Sequence, residues 1–308
     1  MAFEVILNQI LAMYSIVLVG VFVYKYKFLN DEAIKQLSSF LLRIVTFFLI
    51  ANSFITQFSL EDFHDLVIST LLSILVTVVL IVIAHIIYGT RKKEDNFAVS
   101  FSNAAFMGVP LVTALFGAKS VLFVAPFFTV HIIAQWTYGI YVLSDNNEKQ
   151  ASNLFKTLAT NPAILGTIVG LLILFLNIPL PDFIRSGLAS VASINSPLAM
   201  IILGTYIAQL KLSDLTRIKD IALNVSVRLL LMPAVVLFIF YFLPNQYKHL
   251  YQVMIIMAAT PTAIATSMFI AAYNLNTKYA STLITVSTII SAITIPFWIM
   301  IGNWLQII

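Results

Sequence analysis

The 308-residue chain has no cysteine and little charge. Without cysteine there can be no disulfide framework, no thiolate metal site and no cysteine nucleophile. Charged residues make up only 10% of the chain and hydrophobic residues 60%, whereas soluble globular domains carry about 25% and 45–50%. The apolar runs lack the alternation of barrel strands, so each reads as a membrane helix of roughly 20 residues. Catalytic signatures are also missing. There is no pair of acids inside an apolar run, no zinc-protease or prenyl-diphosphate motif, no phosphate-cradling glycine loop and no Gly-x-Ser-x-Gly element. The expectation is an all-α membrane protein that is not an enzyme and holds no cofactor or metal.

What is present is a succession of apolar segments. Ten spans are expected near Phe3–Tyr24, Ile34–Phe58, Asp65–Tyr88, Phe97–Phe116, Val121–Leu143, Thr157–Leu176, Leu188–Leu210, Ile221–Leu243, Tyr251–Tyr273 and Ser281–Leu305. The first lacks a preceding basic region and a cleavage site, so it reads as a span rather than a signal peptide. Connections after odd-numbered spans hold twelve Lys and Arg residues, against Lys119, Arg185 and Lys248 after even-numbered ones. The positive-inside rule therefore puts the odd connections in the cytoplasm and both termini outside. Because these cations sit in short loops, the net charge of +4 signals orientation in a lipid bilayer and no nucleic-acid partner. Arg43 and Arg228 lie about two turns inside their spans, where snorkelling to the interface is the expectation.

Five spans starting outside and five starting inside give the arithmetic of an inverted repeat. The expected division is residues 1–143, a cytoplasmic linker at 144–156, and residues 157–308, opened by Asn161 and Pro162. Among the prolines inside expected spans, Pro110 in the first half and Pro261 in the second fall at similar depths in their halves. Pro110, with Gly108 beside it, should disturb the bond to Phe106. Thr260 reads as an N-cap and Pro261 as a first helical residue, with Thr262 following. Freed backbone groups persist in hydrocarbon only where they are packed in protein or line a cavity. Two half-helices beginning at Pro110 and Pro261 would each aim about half a positive charge at the midplane. All thirteen carboxylates lie in connections or at span ends, so the ligand suggested is an anion. Asn103 adds an uncharged amide beside the first break.

His131 and Gln135, four apart, share a helix face that could look onto these breaks. His85, near a cytoplasmic span end, is a candidate for proton coupling. Gly166 and Gly170 form a small-xxx-small element that fits a homodimer interface and packing within one subunit equally well. Broken helices also suit a channel or a ligand sensor for organic anions.

Asn103-Ala-Ala-Phe-Met-Gly108-Val-Pro110 resembles the N-x-x-x-x-G-x-P element in the fourth span of the auxin efflux carrier family, which includes plant PIN carriers and bacterial malate and malonate permeases. Thr260-Pro261-Thr262-Ala263, with Ala272-Tyr273-Asn274, resembles its ninth span, and weaker likeness runs the full length. The short central loop is similar to the bacterial type. The resemblance implies two inverted five-helix repeats with crossed, broken helices 4 and 9, a fold of the NhaA and bile-acid-symporter kind. It also implies elevator-type secondary transport of a small organic anion, such as malate or malonate, across a bacterial cytoplasmic membrane. The anion's carboxylate would be held near Asn103.

Overall fold

A computed structural model describes residues 2–55, 60–144, 159–176, 178–210 and 217–305. The described residues are helical apart from turns and one isolated β-bridge. The helices are α1 (Ala2–Lys25), α2 (Asp31–Ser53), α3 (Leu60–Tyr88), α4 (Lys93–Ser100), α5 (Ala104–Phe116), α6 (Val121–Leu143), α7 (Pro162–Phe175), α8 (Asp182–Gln209), α9 (Ile218–Tyr241), α10 (Lys248–Ala259), α11 (Ala265–Ala272) and α12 (Thr277–Trp304). Seven of these are long and apolar enough to cross a membrane, and α5 and α7 are shorter apolar helices. The expected all-helical membrane class is what folds. Residues Asp145–Lys156 of the expected linker lie outside the described residues.

Local chemistry accounts for the helix ends. Asn161 caps α7 by accepting from the Ala163 amide at 3.0 Å, and Pro162 occupies the first helical position, where its missing N–H is harmless. Asn30 and Asn276 cap α2 and α12 in the same manner. Within α8, Pro197 cannot donate to Ser193, and the helix is interrupted at Ile194.

The helices pack as two panels. In the first, α1 lies along the Asn195–Gln209 stretch of α8, and α2 packs on α7 and on Asp182–Ser193. Backbones meet directly here. A side chain at Gly20 would strike the Ile201 carbonyl, one at Gly204 the Val17 carbonyl, and one at Gly166 the Phe47 carbonyl at 2.6 Å. A side chain at Gly170 would meet the Phe54 ring at 2.5 Å. Gly166 and Gly170 therefore serve close packing within the subunit. The second panel contains α3 to α6 and α9 to α12. The panels meet where α1 and α8 touch α5 and α12, and where α7 touches α6.

Candidate functional site

Two helices of the second panel are broken, and the breaks are stitched together. After α4 the chain extends through Phe101, Ser102 and Asn103 before α5 starts at Ala104. After α10 it extends from Thr260 and resumes as α11 at Ala265. The two stretches run antiparallel, with Ser102 opposite Thr262. The Asn103 amide donates to the Pro261 carbonyl at 2.7 Å, and the Ala263 amide to the Phe101 carbonyl at 3.0 Å. Two amides point away from this pairing. Ser102 N–H donates to His131 Nε2 at 2.9 Å, and Thr262 N–H to Ser287 Oγ at 3.2 Å. In an apolar setting each such group needs a partner, and α6 and α12 each supply one.

The carbonyl ends of α4 and α10 are held by Arg228. Its Nη1 donates to the Val99 carbonyl at 3.1 Å, its Nη2 to Ala258 at 2.7 Å and Thr260 at 2.9 Å, and its Nε to Thr260 at 3.0 Å. The side chain is fully buried, and among the described residues no carboxylate pairs with it. The guanidinium thus sits against the negative ends of two helix dipoles, where a cation is favoured. A widened turn at Val227–Leu231 carries it, followed by Pro233. Pro233 cannot donate to the Leu229 carbonyl, which accepts instead from Trp298 Nε1 at 2.7 Å. The snorkelling expected of Arg228 is overturned, because its charge is satisfied in the interior. Arg43, in contrast, is exposed.

The breaks are also not where the prolines suggested. Pro110 lies within α5, after a widened turn at Ala104–Gly108 in which the Val109 amide bonds back to Ala104. That wider turn accommodates the missing donor without opening the helix. Gly108 does not loosen the chain. It lets α5 approach α10, since a side chain there would meet Met257 Cε at 2.6 Å. Thr260 is not an N-cap but the residue that ends α10, with Oγ1 donating to the Met257 carbonyl at 2.8 Å. Pro261 belongs to the extended stretch, and the half-helices begin at Ala104 and Ala265. Thr262 donates its hydroxyl to the Ala98 carbonyl at 3.2 Å.

Asn103, Thr260, Pro261, Thr262 and His131 are brought together at the crossing, and all five side chains are buried. His131 acts through Nε2 as a structural acceptor, between the rings of Phe101 and Phe127. Gln135 lies one turn further along α6 and is buried; among the described residues it makes no hydrogen bond to the crossing. His85 stands apart, exposed at the end of α3 and within 3.1 Å of the Tyr138 hydroxyl. Asp95, in the first turn of α4, is 1% exposed and accepts from Tyr279 at 2.6 Å and Asn224 at 3.1 Å. A carboxylate at a span end is therefore interior here. Its signal would have been the polar residues of three helix starts, which converge only in the fold.

Several polar atoms around the crossing have no partner among the described residues: Asn103 Nδ2, Ser102 Oγ, His131 Nδ1, Thr266 Oγ1 and Asn195 Oδ1. Buried polar groups without partners are uncommon and call for an explanation such as a ligand. Of these residues Asn195 lines a cavity of about 400 Å³, together with Val109, Pro110, Thr113 and the end of α2. A second, of about 460 Å³, lies at the other end of α8, beside Tyr24 and the start of α12. Both occupy the seam between the panels.

A family model described as membrane transport protein matches residues 5–299. No curated protein matches the chain.

Proposed function

Because the chain belongs to the auxin efflux carrier family of membrane transport proteins, we propose that it is a secondary carrier moving small organic anions, mono- or dicarboxylates of the size of malate or malonate, across the cytoplasmic membrane. In this reading the chain makes ten crossings in two inverted repeats, residues 1–143 and 157–308. The helix α4, its break and α5 form one crossing, and α10, its break and α11 another. Both termini are extracytoplasmic. The first panel is the scaffold, and the second carries the substrate past it as an elevator.

The observation that carries this reading is the charge layout of the crossing. The carbonyl ends of α4 and α10 are neutralised by Arg228, whereas the N-terminal ends of α5 and α11 face the breaks. The field left over is positive. Asn103 offers an N–H that has no partner among the described residues, beside the start of α5, which suits a carboxylate oxygen. No carboxylate is found at the crossing among the described residues, so the anion has no internal competitor there. Cavities on both sides of the crossing at the panel seam are what alternating access to one site requires.

A counterflow screen of labelled carboxylates in proteoliposomes, under imposed pH, sodium and voltage gradients, tests the proposal. Saturable exchange of at least one carboxylate is expected. An organic cation that competes better than every mono- and dicarboxylate, or flux without counterflow as in a channel, would overturn it.

A further inference from the structure

Asn195 carries an orphaned group whose chemistry is opposite to that of Asn103. It sits just past the interruption of α8 at Ile194 and is 2% exposed. Its Nδ2 donates to the Ala105 carbonyl at 3.1 Å. That bond settles which way the amide faces, because turning it over would press Oδ1 against another acceptor. Among the described residues the oxygen is left buried and without a partner, and the residue lines the 400 Å³ cavity with Pro110 and Thr113. Thr285, at the second cavity, also has an orphaned oxygen, but a hydroxyl can donate or accept and so does not discriminate between ligands. An amide oxygen can only accept.

A carboxylate presents only acceptors and cannot satisfy Asn195. The complement is an O–H or N–H on the same ligand. Ala105 belongs to the first turn of α5, and Asn103 immediately precedes that turn. The free donor of Asn103 and the free acceptor of Asn195 thus flank one helical turn. Resting on the organic-anion reading above, we propose that Asn195 is a specificity-determining residue that selects carboxylates bearing a nearby hydroxyl or ammonium donor over their unsubstituted analogues. The carboxylate docks at the start of α5, and the neighbouring donor closes on Asn195 Oδ1. An unsubstituted acid leaves that oxygen unpaired, and sites built around a hydrogen bond reject such analogues far better than sites built on shape.

The test uses the purified full chain in proteoliposomes and counterflow with six labelled acids in two matched series: succinate, malate and aspartate, then propionate, lactate and alanine. Within each series only a hydrogen, a hydroxyl or an ammonium differs. In at least one series a donor-bearing acid is expected to exchange with roughly tenfold or greater advantage in kcat/KM over the unsubstituted acid. Which donor wins separates a hydroxy acid from an amino acid. Asn195→Ala should shrink that advantage to within about threefold, whereas Asn103→Ala weakens all members of the series together. The ratio does not depend on how much carrier folds, and Asn195→Ser provides the same readout if the alanine variant does not reconstitute. An unsubstituted acid transported as well as its donor-bearing partners, or an advantage unchanged in both Asn195 variants, overturns the proposal and leaves the carrier reading standing. Exchange of none of the six would instead sink the carrier reading for these acids.

Discussion

The two panels solve the same problem by different means. In the first, α1 meets α8 and α2 meets α7 through glycines that let another backbone, or in one case the Phe54 ring, come close. In the second, the contacts that matter are side chains bonded to main chain: Arg228 on three carbonyls, His131 and Ser287 on two amides, Thr262 on a fourth carbonyl. Lipid offers no hydrophobic drive between helices, so the first panel depends on close fit. The second has deliberately interrupted its helices and must satisfy what it exposed. In the elevator reading proposed above, the difference would separate a scaffold that only needs to stay rigid from a body that carries its polar interior with it.

Four substitutions would break or sharpen this contrast. Arg228→Leu should have the largest effect, because three interior carbonyls lose their donors together. A loss on the order of 3 kcal/mol or more is expected, visible as a lower melting temperature in detergent, with a smaller loss for Arg228→Lys. Next is Gly204→Leu, which forces α1 off α8 and should cost about 1–3 kcal/mol; here transport should fall only as folded protein falls. His131→Leu orphans one amide, that of Ser102, and about 1–2 kcal/mol is expected, with His131→Gln milder in the same melting assay. Smallest in stability is Asn103→Ala, since its Nδ2 bonds nothing among the described residues. The melting temperature should hold while apparent affinity for a transported carboxylate drops about tenfold. A variant with unchanged affinity and rate would remove Asn103 from the site.

Much of this fold was legible because its signals are local. Apolar length alone locates helices such as α6, whose bounds coincide with the expected Val121–Leu143. Asn161 and Pro162 mark the start of α7 by capping chemistry. The existence of two broken spans was readable from Pro110 and Pro261, but their location was not. Phe101–Asn103 contains no proline, and its extended form depends on pairing with Pro261–Ala263 far along the chain. Arg228 was misread for the same reason. Depth in a span was visible, but the carbonyls that require a cation exist only once two helices stop beside it. A cation inside an apolar run, five residues before Pro233, was the available hint. For Asn195 the only local cue was a polar Ser-Ile-Asn-Ser stretch within an otherwise apolar span.

The pairing of Ser102 with Thr262 also has a consequence for biogenesis. Asn103 and its partner Pro261 are separated by 261 − 103 = 158 residues, which a ribosome adding about 5–20 residues per second makes in roughly 8–32 s. For that interval the nascent first half lies in or near the bilayer with the Asn103 amide and the Phe101 carbonyl lacking their eventual partners, and until Arg228 is made the Val99 carbonyl lacks its own. A membrane-embedded chaperone or water held at the insertion machinery is needed to shelter them. Stalling synthesis before Arg228 emerges should yield a first half that is bound by such factors or degraded, rather than one that waits folded in the membrane.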